Sequence, residues 1–219
     1  NFCVNDLSAF YLDIRKDALY CDPHDSLTRR AALTVMDRLF AVLTAWLAPM
    51  LCFTMEEAWL TRFPNDKGSV HLRDFADVPD AWDDAALRDR WNMVRQVRRV
   101  VTGALEIERR ERRIGSSLEA SPLVYVADGD LRSALEGLDL AEIAITSGAS
   151  LVAGEGPPDA FRLEDVPAVA VVFARAEGHK CARSWKILAE VGADPEFPTL
   201  SPRDAEAVRQ FDRRAGRAG

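Results

Sequence analysis

Between Asp83 and Arg113 the chain places Leu87, Trp91, Val94, Val97, Val101 and Leu105 at three- and four-residue steps. Side chains so spaced share one face of an α-helix, so the stretch predicts one long helix with that face on a core. Gly115 stands where a helix stop belongs. At 219 residues the chain can bury one substantial core, or one medium domain and a smaller one.

The preceding residues read as helices too. In "NFCVNDLSAFYLDIRKDALY" the residues Cys3, Leu7, Phe10, Tyr11, Ile14 and Ala18 form one amphipathic stripe. A second helix opens near Ser26, carries Leu33, Met36, Leu39, Phe40, Leu43, Trp46 and Leu47, and stops at Pro49, because proline disfavours helical geometry in the residue before it. "FTMEEAW" predicts a short helix opened by a capping box of Thr54 and Glu57. Residues 64–81 hold turn formers and predict a loop.

After Ser117 the texture changes. "SPLVYVAD" and "VPAVAVVFARA" are short β-branched runs, and "LAEIAITSGASLVAG" reads as two strands about a Ser-Gly turn. "DGDLRSALEGL" reads as a short helix with Asp130 a possible cap. From Glu177 the chain turns irregular, with Pro195, Pro198 and Pro202 close together, before a polar helix "PRDAEAVRQFDRR". These shifts predict a mainly α chain in three parts: a helix bundle over 1–118, a small α/β module over 119–176, and an irregular element over 177–219.

Composition bounds what such a chain does. Hydrophobic residues at 48% and charged residues at 29% argue against global disorder. The longest apolar region is broken by Pro49, short of a membrane span, and no leader is evident. The first residues, "NFCVND", lack a methionine, so the chain reads as a piece of a longer protein. Cys3, Cys21, Cys52 and Cys181 have no paired spacing, which fits a reducing cytosol. A net charge of −7 opposes indiscriminate nucleic-acid binding and leaves only local basic patches for that role.

Two stretches are candidates for such a patch. From Arg95 to Arg113 seven arginines (95, 98, 99, 109, 110, 112, 113) face three glutamates. That surplus fits a solvated helix face, the default, or a phosphate-contacting surface. In "EGHKCARSWK", Trp185 lies among Lys180, Arg183 and Lys186. It reads equally as an apolar plug or as a platform for an unpaired base. "RRIGSSLEA" lacks the pattern of a phosphate loop, and His24, His71 and His179 sit in three separate loops. Adjacent carboxylates such as Glu56 and Glu57 point apart on a helix. No catalytic constellation emerges.

Three motifs, "NFCVNDLSAFYLDIRKDALY", "WLAPMLCFTMEEAW" and "RRIGSSLEA", in this order and at these separations, resemble the C-terminal part of the bacterial isoleucyl-tRNA synthetases, class I aminoacyl-tRNA synthetases. The resemblance runs over essentially the whole chain. "LAPMLCFTMEEAW" is shared with the valine and leucine enzymes; the first motif and the ending "AEGHKCARSW" point to isoleucine.

The resemblance implies an anticodon-binding helix bundle, the module that follows it, and a C-terminal zinc-binding element that grips the anticodon loop of tRNA-Ile. It places the aminoacylation site, with its ATP and magnesium, and the editing domain upstream, in a cytoplasmic ligase with no DNA or membrane partner. In the family that element uses two C-x-x-C pairs. Here the matching positions are Cys181, Ser184, Ser201 and Asp204, a poor donor set for structural zinc, which wants four thiolate or imidazole ligands. The expectation is a metal-free element held by Trp185, Ile187, Leu188, Phe197, Leu200 and Phe211.

Arg183 and Trp185 match family positions that touch the anticodon loop, so the resemblance makes Trp185 the stacking residue and Arg183 the polar reader, with Lys180 and Lys186 beside them. Arg15, Lys16, Arg95, Arg98 and Arg99 are the candidates for backbone phosphates, contacts that fix register without reading sequence. The alternatives are the same region of a valine or leucine enzyme, or a protein-interaction module that has lost RNA contact.

Overall fold

The computed structural model describes residues 1–64 and 68–216. Helix predominates over strand, with one small mixed sheet. Contacts group residues 1–24 with those from 85 onward, and residues 25–84 by themselves. The expected boundaries at 118 and 176 both fall inside the first group.

In that larger unit the chain enters as a helix whose first part, Phe2–Leu12, takes the wider π form and passes into α1 (Asp13–Cys21). π geometry beyond a single turn is rare, and it breaks the expected apolar stripe. Cys3 is exposed, while Ile14 and Ala18, within α1, are buried. Phe10 meets Trp91 edge to face, 5.9 Å between centroids.

The long helix spans Ala85–Arg110 and is α4, since α2 (Leu27–Leu47) and α3 (Cys52–Arg62) precede it in the chain. Its buried face is Val94, Val97, Val100, Val101, Ala104 and Leu105; Leu87, expected there, is exposed. The helix does not run to Gly115. Arg112 takes a left-handed φ of 58°, and the Arg113 N–H donates to the Glu108 carbonyl at 2.9 Å. The Gly115 N–H donates to Glu119 Oε1 at 3.1 Å, and Glu119 closes a capping box with Ser116. A capping box thus stands at Ser116 and Glu119, where none was expected.

α4 packs on a four-stranded sheet ordered β2-β1-β4-β3. Its strands are β1 (Leu123–Val126), β2 (Ser150–Ala153), β3 (Phe161–Leu163) and β4 (Val166–Val172). β1 is parallel to β2 and antiparallel to β4, with Val124 opposite Val171. Val124, Val126, Val169 and Val171 join the α4 valines in one core, the period-two alternation of a half-buried strand. Gly103 lets β3 approach, since a Cβ there would stand 3.1 Å from the Phe161 ring.

The parallel connection runs through α5 (Gly129–Ala134) and α6 (Leu140–Ala144). α6 overturns the strand expected over "LAEIAIT". The Asp139 carboxylate accepts from the Ala141 and Glu142 N–H groups, and this N-cap outweighs β-branched composition. Asp128, rather than Asp130, caps α5 through the Leu131 N–H at 2.8 Å. β3 had no counterpart in the sequence reading.

The last residues form a two-stranded hairpin, β5 (His179–Lys180) with β6 (Ile187–Leu188), and α7 (Pro202–Arg214). Gly178 enters the hairpin at φ 118° with its α-carbon against the Leu188 backbone, a place only glycine fills without strain.

The second unit holds α2 (Leu27–Leu47) and α3 (Cys52–Arg62). α3 begins at Cys52, before the expected Thr54 cap, after Leu51, which has no side-chain cap bond. Trp59 is its centre, buried with Ala48 and Val70 and 4.4 Å from the Phe63 ring centroid. Of the expected loop over 64–81, residues 65–67 lie outside the described set; residues 68–84 are irregular, with short 3-10 turns at Val70–Leu72 and Asp80–Trp82. Among the described residues no helix is long and apolar enough to cross a membrane.

Candidate nucleic-acid interface

The hairpin turn from Cys181 to Lys186 is built by two backbone bonds. The Trp185 N–H donates to the Cys181 carbonyl at 3.0 Å, and the Cys181 N–H to the Lys186 carbonyl at 2.8 Å. The turn needs a left-handed residue, and Trp185 supplies it at φ 63°. A bulky residue there is a genuine outlier. The indole is 60% exposed, with Lys180 Nζ 5.7 Å from its ring centroid.

Behind the turn stands a buried carboxylate. Asp204 is fully buried and accepts from Arg183 Nη1 at 2.9 Å, Ser201 Oγ at 2.7 Å and Arg203 Nη2 at 3.2 Å. Cys181 Sγ lies 3.4 Å from the same group. Burial alone would raise its pKa, but the Ser201 hydroxyl and the Arg203 and Arg183 cations hold the carboxyl below its ordinary value.

This centre is tied to the end of α1. Arg183 Nη2 donates to the Tyr20 carbonyl at 2.6 Å and Nη1 to the Cys21 carbonyl, so a cation caps the negative end of the helix dipole. Arg203 holds both Asp17 oxygens, at 2.5 and 3.1 Å, and reaches Asp22 at 3.4 Å. Lys186 Nζ adds a contact to Asp17 at 3.2 Å. Against the cost of burial, these cations keep Asp17 ionised below the usual carboxylate range. The same burial and the Asp17 and Asp204 charges push the Cys21 thiol up to about 11.

The four positions that would face a zinc ion do not fit one. They offer a single thiol, and their carboxylate already carries two guanidinium groups; a divalent cation added there would meet both. Among the described residues no three of His, Cys, Asp and Glu are grouped to hold a metal. The apolar scaffold also differs from expectation. Cys181, Val191, Leu200 and Ala205 form the core, with Leu188, Phe197 and Val208 against it, whereas Trp185 and Phe211 are exposed. The left-handed turn sends the indole out.

The remaining candidates divide by their pairing. Arg15 binds Glu142 at 2.7 Å. Arg95 binds Asp6 at 2.6 Å and lies over the Phe10 ring. Arg98 donates to the Ile143 carbonyl at 2.9 Å, and Arg99 binds Asp165 at 2.5 Å. Each of these arginines has a partner within the protein. Among the described residues Lys16 has one ion pair, with Asp13, and its side chain is 66% exposed. Tyr20, Asp17, Asp22 and Arg203 were not singled out in the sequence, because their partners lie far along the chain.

Residues 1–124 match the family described as the anticodon-binding domain of tRNA ligase. The chain belongs to that family. This anticodon-binding chain is also similar to proteins named isoleucine–tRNA ligase: 58% identical over 96% of its length to that of Agrobacterium fabrum, 59% over 96% to that of Brucella abortus, and 56% over 99% to that of Caulobacter vibrioides. It spans about 22% of the length of each of these relatives. The anticodon-binding match ends within β1, so the Trp185 turn lies beyond it and within the stretch shared with the ligases.

Proposed function

We propose that this chain is the tRNA-recognition arm of a cytoplasmic isoleucine–tRNA ligase, gripping the anticodon stem-loop of tRNA-Ile while catalytic and editing domains elsewhere in the parent protein carry out ATP- and magnesium-dependent aminoacylation. The observation that carries the reading is Trp185: an exposed indole held on a strained turn, with a cation beside it and a charged latch behind. Single-stranded RNA exposes base faces, and an indole is a sequence-tolerant surface for them.

In this reading Trp185 stacks one loop base, and Lys180 and Lys16 meet phosphate. Arg183, matched to a base-reading position in the family, has both Nη atoms engaged within the protein; its part is to hold the turn. The element works without zinc, with Asp204 and its two arginines as the cross-link, in place of the zinc-binding form that the family resemblance implies.

The test is binding of anticodon stem-loops for isoleucine, valine and leucine tRNAs across a salt series. The isoleucine stem-loop should bind tightest, its affinity falling as salt rises, and Trp185→Ala should cost about 1–3 kcal/mol. Affinity indifferent to both anticodon and Trp185 would reject the reading and favour a protein-docking role.

A further inference from the structure

α4 ends in a backbone pattern that usually takes glycine. The Arg112 N–H donates to the Arg109 carbonyl at 3.0 Å and the Arg113 N–H to the Glu108 carbonyl at 2.9 Å. These are the paired bonds of a Schellman stop, whose left-handed position is filled by glycine or asparagine as a rule. Here it is Arg112, at φ 58°. Glycine would hold this turn without strain, so the guanidinium is kept at a cost to the fold. Such strain clusters at functional sites.

Arg112 lines an open hollow of about 460 Å³ with Arg109, Arg110, Glu106, Ile114 and Gly115. Three cations there meet one carboxylate. Glu106 is taken by Arg109 at 3.2 Å, and the neighbouring acids are taken too, Glu108 and Glu111 by Arg113 and Glu119 by Arg175. Among the described residues Arg110 and Arg112 have neither an ion pair nor a side-chain hydrogen bond, and both are exposed. Offsetting the helix dipole does not require Arg112, since Arg109 and Arg110 already stand in the last turn.

The hollow lies one step of chain from the indole. Ile114 and Gly115 wall it on one side, and the residues that follow, Ser116, Leu118 and Glu119, line a second cleft with Lys180 and Trp185.

We infer that this hollow holds a backbone phosphate of the RNA strand whose base lies on Trp185, with Arg112 and Arg110 as its ligands. This rests on the RNA reading above. A guanidinium meets phosphate oxygens with a fork of N–H donors, and such contacts carry no sequence. A stacked base leaves the strand free to pivot about it. A phosphate pinned on the far side of the Ser116 loop sets the strand's course toward the end of α4.

The experiment uses the intact protein with Arg112→Gly, Arg112→Lys or Trp185→Ala, and anticodon stem-loops for isoleucine, valine and leucine tRNAs. The isoleucine stem-loop is also made with a neutral methylphosphonate at one backbone position in turn. Arg112→Gly should weaken the isoleucine stem-loop roughly threefold or more at low salt, and lower the slope of log affinity against log salt by about 1. The same factor should hold for the other two stem-loops, and Arg112→Lys, which keeps the charge, should stay within about twofold. One methylphosphonate position should abolish the effect of Arg112→Gly. The melting temperature of Arg112→Gly should equal or exceed the parent's, because glycine suits the turn.

Unchanged affinity in Arg112→Gly, with Trp185→Ala still weakened, overturns the phosphate site and leaves the RNA reading standing. A loss that persists with every methylphosphonate overturns it too, since no phosphate is then being held, and so does a loss confined to the isoleucine stem-loop, which would mean that a base is read. A lowered melting temperature in Arg112→Gly would give the arginine to the fold, and the inference falls. If Trp185→Ala binds as well as the parent, the RNA reading itself fails and the inference goes with it.

Discussion

Arg203 on α7 holds both carboxylate oxygens of Asp17 on α1, at 2.5 and 3.1 Å, across 186 residues of sequence. The same arginine touches Asp204, so the last helix, the Trp185 turn and the first helix share one network. Two arginines and a lysine meet three aspartates there. Charges this close to balance in a half-buried site are held by geometry, and removing one member leaves another unpaired.

Asp204→Ala should therefore be costly. It takes the carboxylate partner from Arg183 and leaves Arg203 with Asp17 and Asp22, and a loss of about 3 kcal/mol, the low end for a broken buried pair, is expected. Limited proteolysis should then cut between β5 and α7 before it cuts the sheet. Equal resistance in mutant and parent would show the cross-link to be dispensable.

Acid should open the same latch. Asp17 and Asp204 have pKa values below their unfolded ones, so the unfolded chain binds protons first as pH falls. Their stabilisation is complete above the unfolded value of about 3.9 and is lost as pH drops through the lower folded values. The Trp185 resonance in fluorine NMR of fluorotryptophan-labelled protein, followed from pH 6 downward, should stay flat to about pH 4 and change below it. A transition near neutrality would point to other groups.

Metal analysis of the purified protein should find no zinc bound in proportion to this element, and a chelator should leave its melting temperature unchanged. Stoichiometric zinc with a chelator-sensitive C-terminal element would contradict the Asp204 cross-link.

Much of this was open to reading from the chain, and the failures have physical causes. The valine face of α4 was visible because a periodic stripe is a local property. α6 was missed because a single Asp139 cap outweighed the strand-forming texture of "EIAIT". The latch was invisible for another reason: Asp17 and Arg203 are ordinary helix-surface residues until folding brings them together. Trp185 could be singled out from its cationic neighbours, but its left-handed backbone could not.

That backbone invites a direct trial. Placing a side chain at φ 63° costs about 1–2 kcal/mol relative to a right-handed residue, and glycine bears almost none of it. Trp185→Gly should be more stable than Trp185→Ala by about 1 kcal/mol by chemical denaturation, while both lose RNA affinity alike. Equal stability of the two would mean the turn relaxes when the ring is gone.

Thiol accessibility gives an independent check. Cys3 and Cys52 are exposed and Cys21 and Cys181 buried, and the Cys21 thiol, raised to about 11, stays protonated at pH 8. Of the four cysteines in this chain, two should react quickly with an alkylating reagent at that pH and two only on unfolding. Rapid labelling of Cys21 would show the end of α1 to be open.

The valines of α4 lie on strands that arrive up to residue 172, although the family match stops at 124. The edge of that match and the edge of the core are therefore different places in this chain. A polypeptide cut at residue 124 would carry a greasy helix without the strands it lies on, so the helical part depends for its footing on the sheet that follows it.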